Sequence, residues 1–153
     1  MAEATIRLDR ETVIKELNKL INLDYDAIAA YEAAIERLNN AQYRERLREF
    51  KGDHQRHIHN LEVCVAKFGG KPAASGDIKK VLTKGKVILG QINHDTGILE
   101  AMKSNEDQTN RLYEEGLQKL EDEPEVAGLL LRNLEDERRH RAWLVSTLDA
   151  IAI

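Results

Sequence analysis

The chain carries one pattern twice, and that repetition limits its architecture more than any other feature. Val13, Leu17, Leu20, Asp24, Ala27, Tyr31, Ile35 and Leu38 follow one another at spacings of three and four. So do Leu47, Phe50, His54, His57, Leu61, Cys64 and Phe68. Such spacing gathers a run onto one face of an α-helix, which turns once in ~3.6 residues. Shifted by 82 positions, the first run lands on a third: Leu17 on Leu99, Leu20 on Met102, Asp24 on Glu106, Tyr31 on Tyr113, Ile35 on Leu117, Leu38 on Leu120. Shifted by 83, the second lands on a fourth: Leu47 on Leu130, His54 on Glu137, His57 on His140, Leu61 on Leu144. The fourth run continues to Ile151. Four helices with one apolar face each, in a chain of 153 residues, suit one domain around one core.

Local signals place the ends. Asp9 is a good N-cap, Asn39-Asn40 closes the first helix, Gly69-Gly70 supplies C-cap chemistry and Pro124 suits a first helical turn. The expected helices cover 9–39, 41–68, 88–121 and 124–151 within a domain spanning 9–153, preceded by an arm over 1–8. Tight links within each pair of helices predict antiparallel hairpins. The link over 69–88 is much longer, with a short helix expected over 77–85 behind Asp77. About twenty residues of partly helical chain can run the length of a bundle of about 40 Å. The fold class is all-α: two antiparallel hairpins joined by one long crossover containing a short helix.

Composition narrows the function classes. Charged residues make up 33%, mean hydropathy is −0.52, and the chain has two prolines and 5% aromatics, as expected of a soluble helical protein. A net charge of −4 provides no basic footprint for nucleic acid. Lys79, Lys80, Lys84 and Lys86 read as a solvated face. The lone Cys64 forms no internal disulfide, and without a CxxC pair no rubredoxin-like iron site or zinc ribbon arises. No signal region or membrane-length apolar run is present, which makes the cytoplasm the default location.

The polar residues on the seams carry the functional signal. Asp24, His54, His57, Glu106, Glu137 and His140 sit near the midpoints of the four runs, so packing the hairpins brings them to one level of the core. A buried, unpaired carboxylate costs several kcal/mol. A metal ion satisfies carboxylates and imidazoles together, and these are ordinary ligands for iron, manganese and zinc. The alternative is a metal-free network of Asp/Glu–His ion pairs.

These motifs resemble those of the ferritin-like di-iron carboxylate four-helix bundles, of which bacterioferritin and rubrerythrin are familiar types. Small bacterial ferritin-like bundles of about this length are similar as well. The first helix has Asp24, Ala27 and Tyr31 in LDYDAIAAY; the third has Glu106 and Tyr113; the fourth has Glu137 and His140, then Trp143 and WLVSTLDAI. The resemblance spans roughly residues 10–151. It implies a ligand set of Asp24, His54, His57, Glu106, Glu137 and His140, with iron as the first metal and zinc or manganese as others. The implied chemistry is iron oxidation or reaction with dioxygen or peroxide. The alternatives are a non-catalytic bundle stabilised by zinc or another metal, and a metal-free structural or stress-related protein that binds a partner.

His54 departs from the family. There a glutamate normally bridges two metals, whereas histidine normally offers one nitrogen to one metal. The set becomes three carboxylates and three histidines; one reading rests the bridging role on Glu137 alone and leaves an asymmetric or single-metal site. Asp53 is a second-choice ligand, about 100° off the seam. Asp24 is one methylene shorter than the family's glutamate. Gln55 stands where bacterioferritin has its haem-ligating methionine, so no haem is expected. The chain ends at Ile153 without a fifth helix, which favours a homodimer over a large cage.

Other residues receive plainer readings. Tyr31 and Tyr113 pack in the core, with the hydroxyl bonding a carboxylate or carrying redox equivalents as the functional alternative. Glu32, Glu100, Glu114 and His59 are expected in solvent, and Asp95 in water near a bundle end. Cys64 reads as a small buried hydrophobe. Trp143 reads as packing between hairpins, and His94 shows no partner.

Overall fold

Four long helices are present among the described residues: α1 (Arg10–Arg37), α2 (Ala41–Lys67), α3 (Asp95–Lys119) and α4 (Pro124–Ala152). This computed structural model describes residues 9–74, 89 and 91–152. The expected arm over 1–8, the short helix over 77–85 and the lysine cluster lie outside the described residues.

The helix ends show which local signals act. Asp9 holds the N-cap position of α1, but its side chain makes no capping hydrogen bond. Asn40 does cap α2, its Oδ1 accepting from Tyr43 N–H at 3.0 Å. At the other end Gly69 adopts φ 80°, a left-handed conformation that suits glycine. Its N–H bonds Ala66 C=O at 2.9 Å, and Gly70 N–H bonds Val65 C=O at 3.0 Å, the paired bonds of a Schellman stop.

The start of α3 corrects the expected 88. Leu89 is helical and buried, but residues 91–94 form a turn and bend, and α3 begins at Asp95. His94 is the reason, and it has a partner after all: its Nδ1 accepts from Gly97 N–H at 3.0 Å. A Cβ on Gly97 would stand 2.5 Å from the His94 ring, so the cap needs glycine there. Asp95 lies at a bundle end, as expected, but is bonded as well as wetted. Its two oxygens accept from Asn39 N–H at 2.8 Å and Asn40 N–H at 3.0 Å, fastening the α1–α2 turn to α3.

α1 packs along α2, α3 along α4, and α1 against α3; of these neighbouring pairs and α2–α4, the backbones of α2 and α4 approach least. The apolar seams separate into two layers. One holds Val13, Leu17, Ile21, Leu61, Val65, Leu120, Val126 and Leu130. The other holds Ala34, Leu38, Leu47, Phe50, Ile98, Leu99, Met102 and Leu144. Between them, the middle turns of all four helices supply polar side chains. Each layer excludes water from one side of that polar level.

Trp143 fills the α2–α4 seam, edge-on to Tyr43 at 5.9 Å and Phe50 at 5.7 Å. Cys64 is buried; His59, Glu32, Glu100 and Glu114 are exposed, as their off-seam positions suggested. Ile151 is a correction: it continues the period, yet it is 39% exposed. The buried face of α4 ends at Leu144, with Leu148 partly covered, and the last turn continues beyond the core. No described helix is long and apolar enough to cross a membrane.

Candidate metal centre

The six seam residues meet in the polar level between the two apolar layers. Asp24 from α1, His54 and His57 from α2, Glu106 from α3, and Glu137 and His140 from α4 are each fully buried. They compose two overlapping groups whose donor atoms lie within 4.8 Å of one another: Asp24, His54, His57 and Glu137, then His54, Glu106, Glu137 and His140. His54 and Glu137 belong to both.

The shared residues divide their atoms between the groups. Glu137 Oε1 lies 3.3 Å from His54 Nδ1 and 3.4 Å from His57 Nδ1, while Oε2 lies 3.6 Å from His140 Nδ1. His54 Nδ1 is 2.7 Å from Asp24 Oδ1, and its Nε2 is 3.6 Å from Glu106 Oε1. The unshared residues face one group each. Asp24 Oδ1 is 3.3 Å from His57 Nδ1, and Glu106 Oε1 is 3.3 Å from His140 Nδ1.

A second set of residues fixes these orientations. His57 Nε2–H donates to Asp136 at 2.9 Å, and His140 Nε2–H donates to Asp53 at 2.8 Å. Both imidazoles therefore turn Nδ1 inward, the tautomer that a carboxylate partner selects at metal sites. Arg56 and Arg139 lie over these carboxylates. Arg56 bonds Asp53 at 3.1 Å and also Asp136; Arg139 bonds Asp53 at 2.7 Å and Asp136 at 3.1 Å. Asp53 and Asp136 are 83 positions apart, as are Arg56 and Arg139. Asp53 thus lies behind His140, outside both groups. Asp136 had escaped sequence reasoning, although the shift that pairs His54 with Glu137 also points to it.

The tyrosine hydroxyls bond carboxylates, each one on the opposite hairpin. Tyr113 donates to Asp24 Oδ2 at 2.5 Å, and Tyr31 donates to Glu106 Oε1. Further support is concentrated near α3 and α4. Thr109 Oγ1 is 2.9 Å from Glu106 Oε2 and 3.1 Å from Glu137 Oε2. Asn110 bridges the backbone carbonyls of Glu106 and Glu137 at 2.7 and 3.1 Å, and Asn133 reaches Tyr113 Oη at 3.3 Å. Thr109 and Asn133 hold the repeat positions of Ala27 and Phe50, so they continue the third and fourth runs, whereas Asn110 lies off them.

Electrostatics follows from three acids beside three imidazoles in a fully buried layer. Burial opposes charge on the histidines, but the carboxylates outweigh it. His57 is raised to about 9 by its bond to Asp24 and the nearby Glu137 carboxylate. His140 is raised to about 10 by its bond to Asp53 and the nearby carboxylates of Glu106 and Glu137. His54 is raised well above its ordinary range, with Glu137 and Asp24 the strongest attractions. Burial likewise pushes Glu106 and Asp24 upward, and their imidazole partners pull both below the usual carboxylate range. Burial and the neighbouring carboxylates push Tyr31 and Tyr113 well up, so both hydroxyls keep their protons.

Among the described residues, these bonds leave three inward-facing atoms without a hydrogen-bond partner: His54 Nε2, Glu137 Oε1 and His140 Nδ1. An orphaned buried polar atom costs about 1–3 kcal/mol. Imidazole nitrogen and carboxylate oxygen, which converge here in a closed layer, are ordinary ligands of first-row metals. The residues present are compatible with metal binding.

Comparison with known proteins agrees with this architecture. The solved structure of the bacterioferritin-related protein from Bacteroides fragilis, described as a dodecameric thioferritin, superposes with a TM-score of 0.81. The match covers 95% of this chain and 89% of that one at 18% identity, a likeness of fold. No match is found among curated proteins. A family model described as a domain of unknown function, DUF2383, matches residues 12–119. The chain belongs to the DUF2383 family and has a ferritin-like four-helix-bundle fold.

Proposed function

We propose that the buried level is a two-metal centre and that iron is its physiological metal. Asp24, His57 and Glu137 would hold one ion; Glu106, His140 and Glu137 would hold the other, with His54 as a variant ligand. The observation that carries this reading is the pair of four-residue groups sharing His54 and Glu137. Iron held there would supply electrons to dioxygen or peroxide.

The chain's own part is to prepare the ligands. Asp136 and Asp53 hold the Nδ1 atoms of His57 and His140 inward. Tyr113 ties back Asp24 Oδ2 and leaves Oδ1 directed at the centre. The apolar layers exclude bulk water, which strengthens each interaction inside. The histidines must give up protons before they bind, so metal uptake is coupled to proton release.

Protein purified without a metal-binding tag and reconstituted anaerobically with Fe(II) should hold about two irons per chain by mass spectrometry. A stoichiometry near zero overturns the reading. Oxygen uptake on adding air to the loaded protein separates redox chemistry from a second function, a zinc-stabilised bundle, which the three imidazoles favour. That alternative predicts bound zinc, raised thermal stability and no oxygen uptake. The assembly we propose is a homodimer in the cytoplasm. The structurally similar protein is a dodecamer, and light scattering on the purified chain distinguishes the two states.

A further inference from the structure

The geometry points to His54 as a bridge: its imidazole stands between the two halves of the centre, with one ring nitrogen facing each metal position. This inference rests on the metal reading above and goes beyond it. A histidine at this position, judged from sequence, offers one nitrogen to one metal. The fold arranges otherwise. Nδ1 faces the first group, 2.7 Å from Asp24 Oδ1 and 3.3 Å from Glu137 Oε1. Nε2, on the far side of the ring, lies 3.6 Å from Glu106 Oε1 in the second group and has no hydrogen-bond partner. His57 and His140 each use Nε2 to bond an outer carboxylate, whereas neither His54 nitrogen has an outer partner among the described residues. The ring is fully buried, so bulk solvent does not reach Nε2.

Charge supports the same role. Asp24, Glu106 and Glu137 bring three negative charges against the four positive charges of two divalent ions. An imidazole that binds one metal can lose its remaining N–H proton to solvent as a second metal binds the other nitrogen. No electron is transferred, and the ring becomes an anion. The bridging imidazolate adds the fourth negative charge and makes the centre neutral, which matters in a layer where net charge is costly. The ring also sets the spacing. With metal–nitrogen bonds of about 2.1 Å, an imidazolate holds two ions about 6 Å apart. Two-metal sites without such a spacer have separations of about 3.5–4 Å.

Co(II) is a suitable probe, because its absorption and X-ray scattering report both stoichiometry and geometry. The wild-type protein should bind two Co(II) per chain, separated by about 6 Å in an anomalous-scattering map, with the His54 ring between them. His54→Glu should still bind two, at a separation shortened to about 4 Å. His54→Ala should retain about one, and circular dichroism of each variant reports whether the bundle has formed. Two ions within about 4 Å in the wild type, or two ions retained by a folded His54→Ala, would overturn the bridge and leave the metal centre standing. No bound Co(II) in the wild type would overturn both.

Discussion

The two hairpins build the same half-site from different surroundings. In the half around Asp24 and His57, the neighbours at repeat-related positions are Asn133 and the small Ala27. In the half around Glu106 and His140, they are Phe50, stacked on His140 at 4.2 Å, and Thr109, which bonds two carboxylates. Asn110 ties α3 to α4, where its repeat position in α1 is Ile28. What both halves keep is the acid, the inward imidazole, the tyrosine across the bundle and the aspartate behind the histidine. Those elements are what a buried centre needs for orientation. The surroundings have diverged where packing or a hydrogen bond fills the space equally well. The exception lies inside the centre, at His54 and Glu137, which are partners in the repeat but differ in chemistry.

Glu137 belongs to both halves, so its loss should have the largest effect. Glu137→Ala should reduce bound metal from about two ions per chain to none, by mass spectrometry after anaerobic Fe(II) loading. Removing a buried carboxylate also leaves its imidazole partners uncompensated, at a cost of about 3–5 kcal/mol. Glu137→Gln separates the two effects: it keeps the shape while removing the charge. By contrast, Asp24→Ala and Glu106→Ala should each lose one ion and retain the other. If Glu137→Gln keeps both metals, the shared role of that residue is wrong.

In the metal-free protein, pH should separate the halves. His57 is raised to about 9 and His140 to about 10, from an unfolded value of about 6.5. A histidine raised on folding contributes stability that is complete below about pH 6.5 and is lost as pH rises through its folded value. The melting temperature of chelated protein should therefore fall between pH 7 and 10. In nitrogen NMR, the His57 ring should deprotonate before that of His140. Metal-loaded protein should show little of this decline, because coordination replaces the protons. A chelated protein that gains stability over the same range contradicts the assignment of raised histidines.

The outer aspartates extend the contrast across the bundle. Asp53→Asn should weaken the half that contains His140, and Asp136→Asn the half that contains His57, each by about 10–100-fold in metal affinity. The effect is crossed: the aspartate on α2 serves a histidine on α4, and the reverse. Titration with Co(II) would show one site weakened in each variant. Weakening of the half on the same hairpin would contradict the crossed arrangement.

The sequence made some of this legible and concealed the rest for physical reasons. Helix existence could be read because an apolar face at a period of 3–4 survives any detail of packing. Glu137 and His140 stood out because charge on such a face is costly, and the repeat then led to Asp24, His54, His57 and Glu106. The crossed pairs were hidden. Whether Tyr113 reaches Glu106 on its own helix or Asp24 across the core depends on the rotation of α1 against α3, which spacing does not encode. Asp136 is off the seam, and only the orientation of His57 makes it matter. His94 ends the helical pattern through a backbone cap that Gly97 permits, while the apolar period continues past it through Ile92. Ile151 shows the converse: the period continues after the buried face has ended.

The tyrosines give the smallest and most discriminating test. Tyr113→Phe removes the hydroxyl that bonds Asp24 Oδ2, and Asn133 loses its acceptor as well. Among the described residues, no other hydrogen bond is made to that oxygen. Tyr31→Phe removes the bond to Glu106 Oε1, but Glu106 keeps Thr109 on Oε2 and lies close to His140 and His54 on Oε1. An unsatisfied buried acceptor costs about 1–3 kcal/mol, whereas a lost bond at a group with remaining partners costs about 1. Tyr113→Phe should accordingly destabilise the metal-free protein by about 1 kcal/mol more than Tyr31→Phe, a difference of about 2–4 °C in melting temperature. Equal losses would mean that the polar support around Glu106 has no energetic consequence, and that the two halves differ in composition alone.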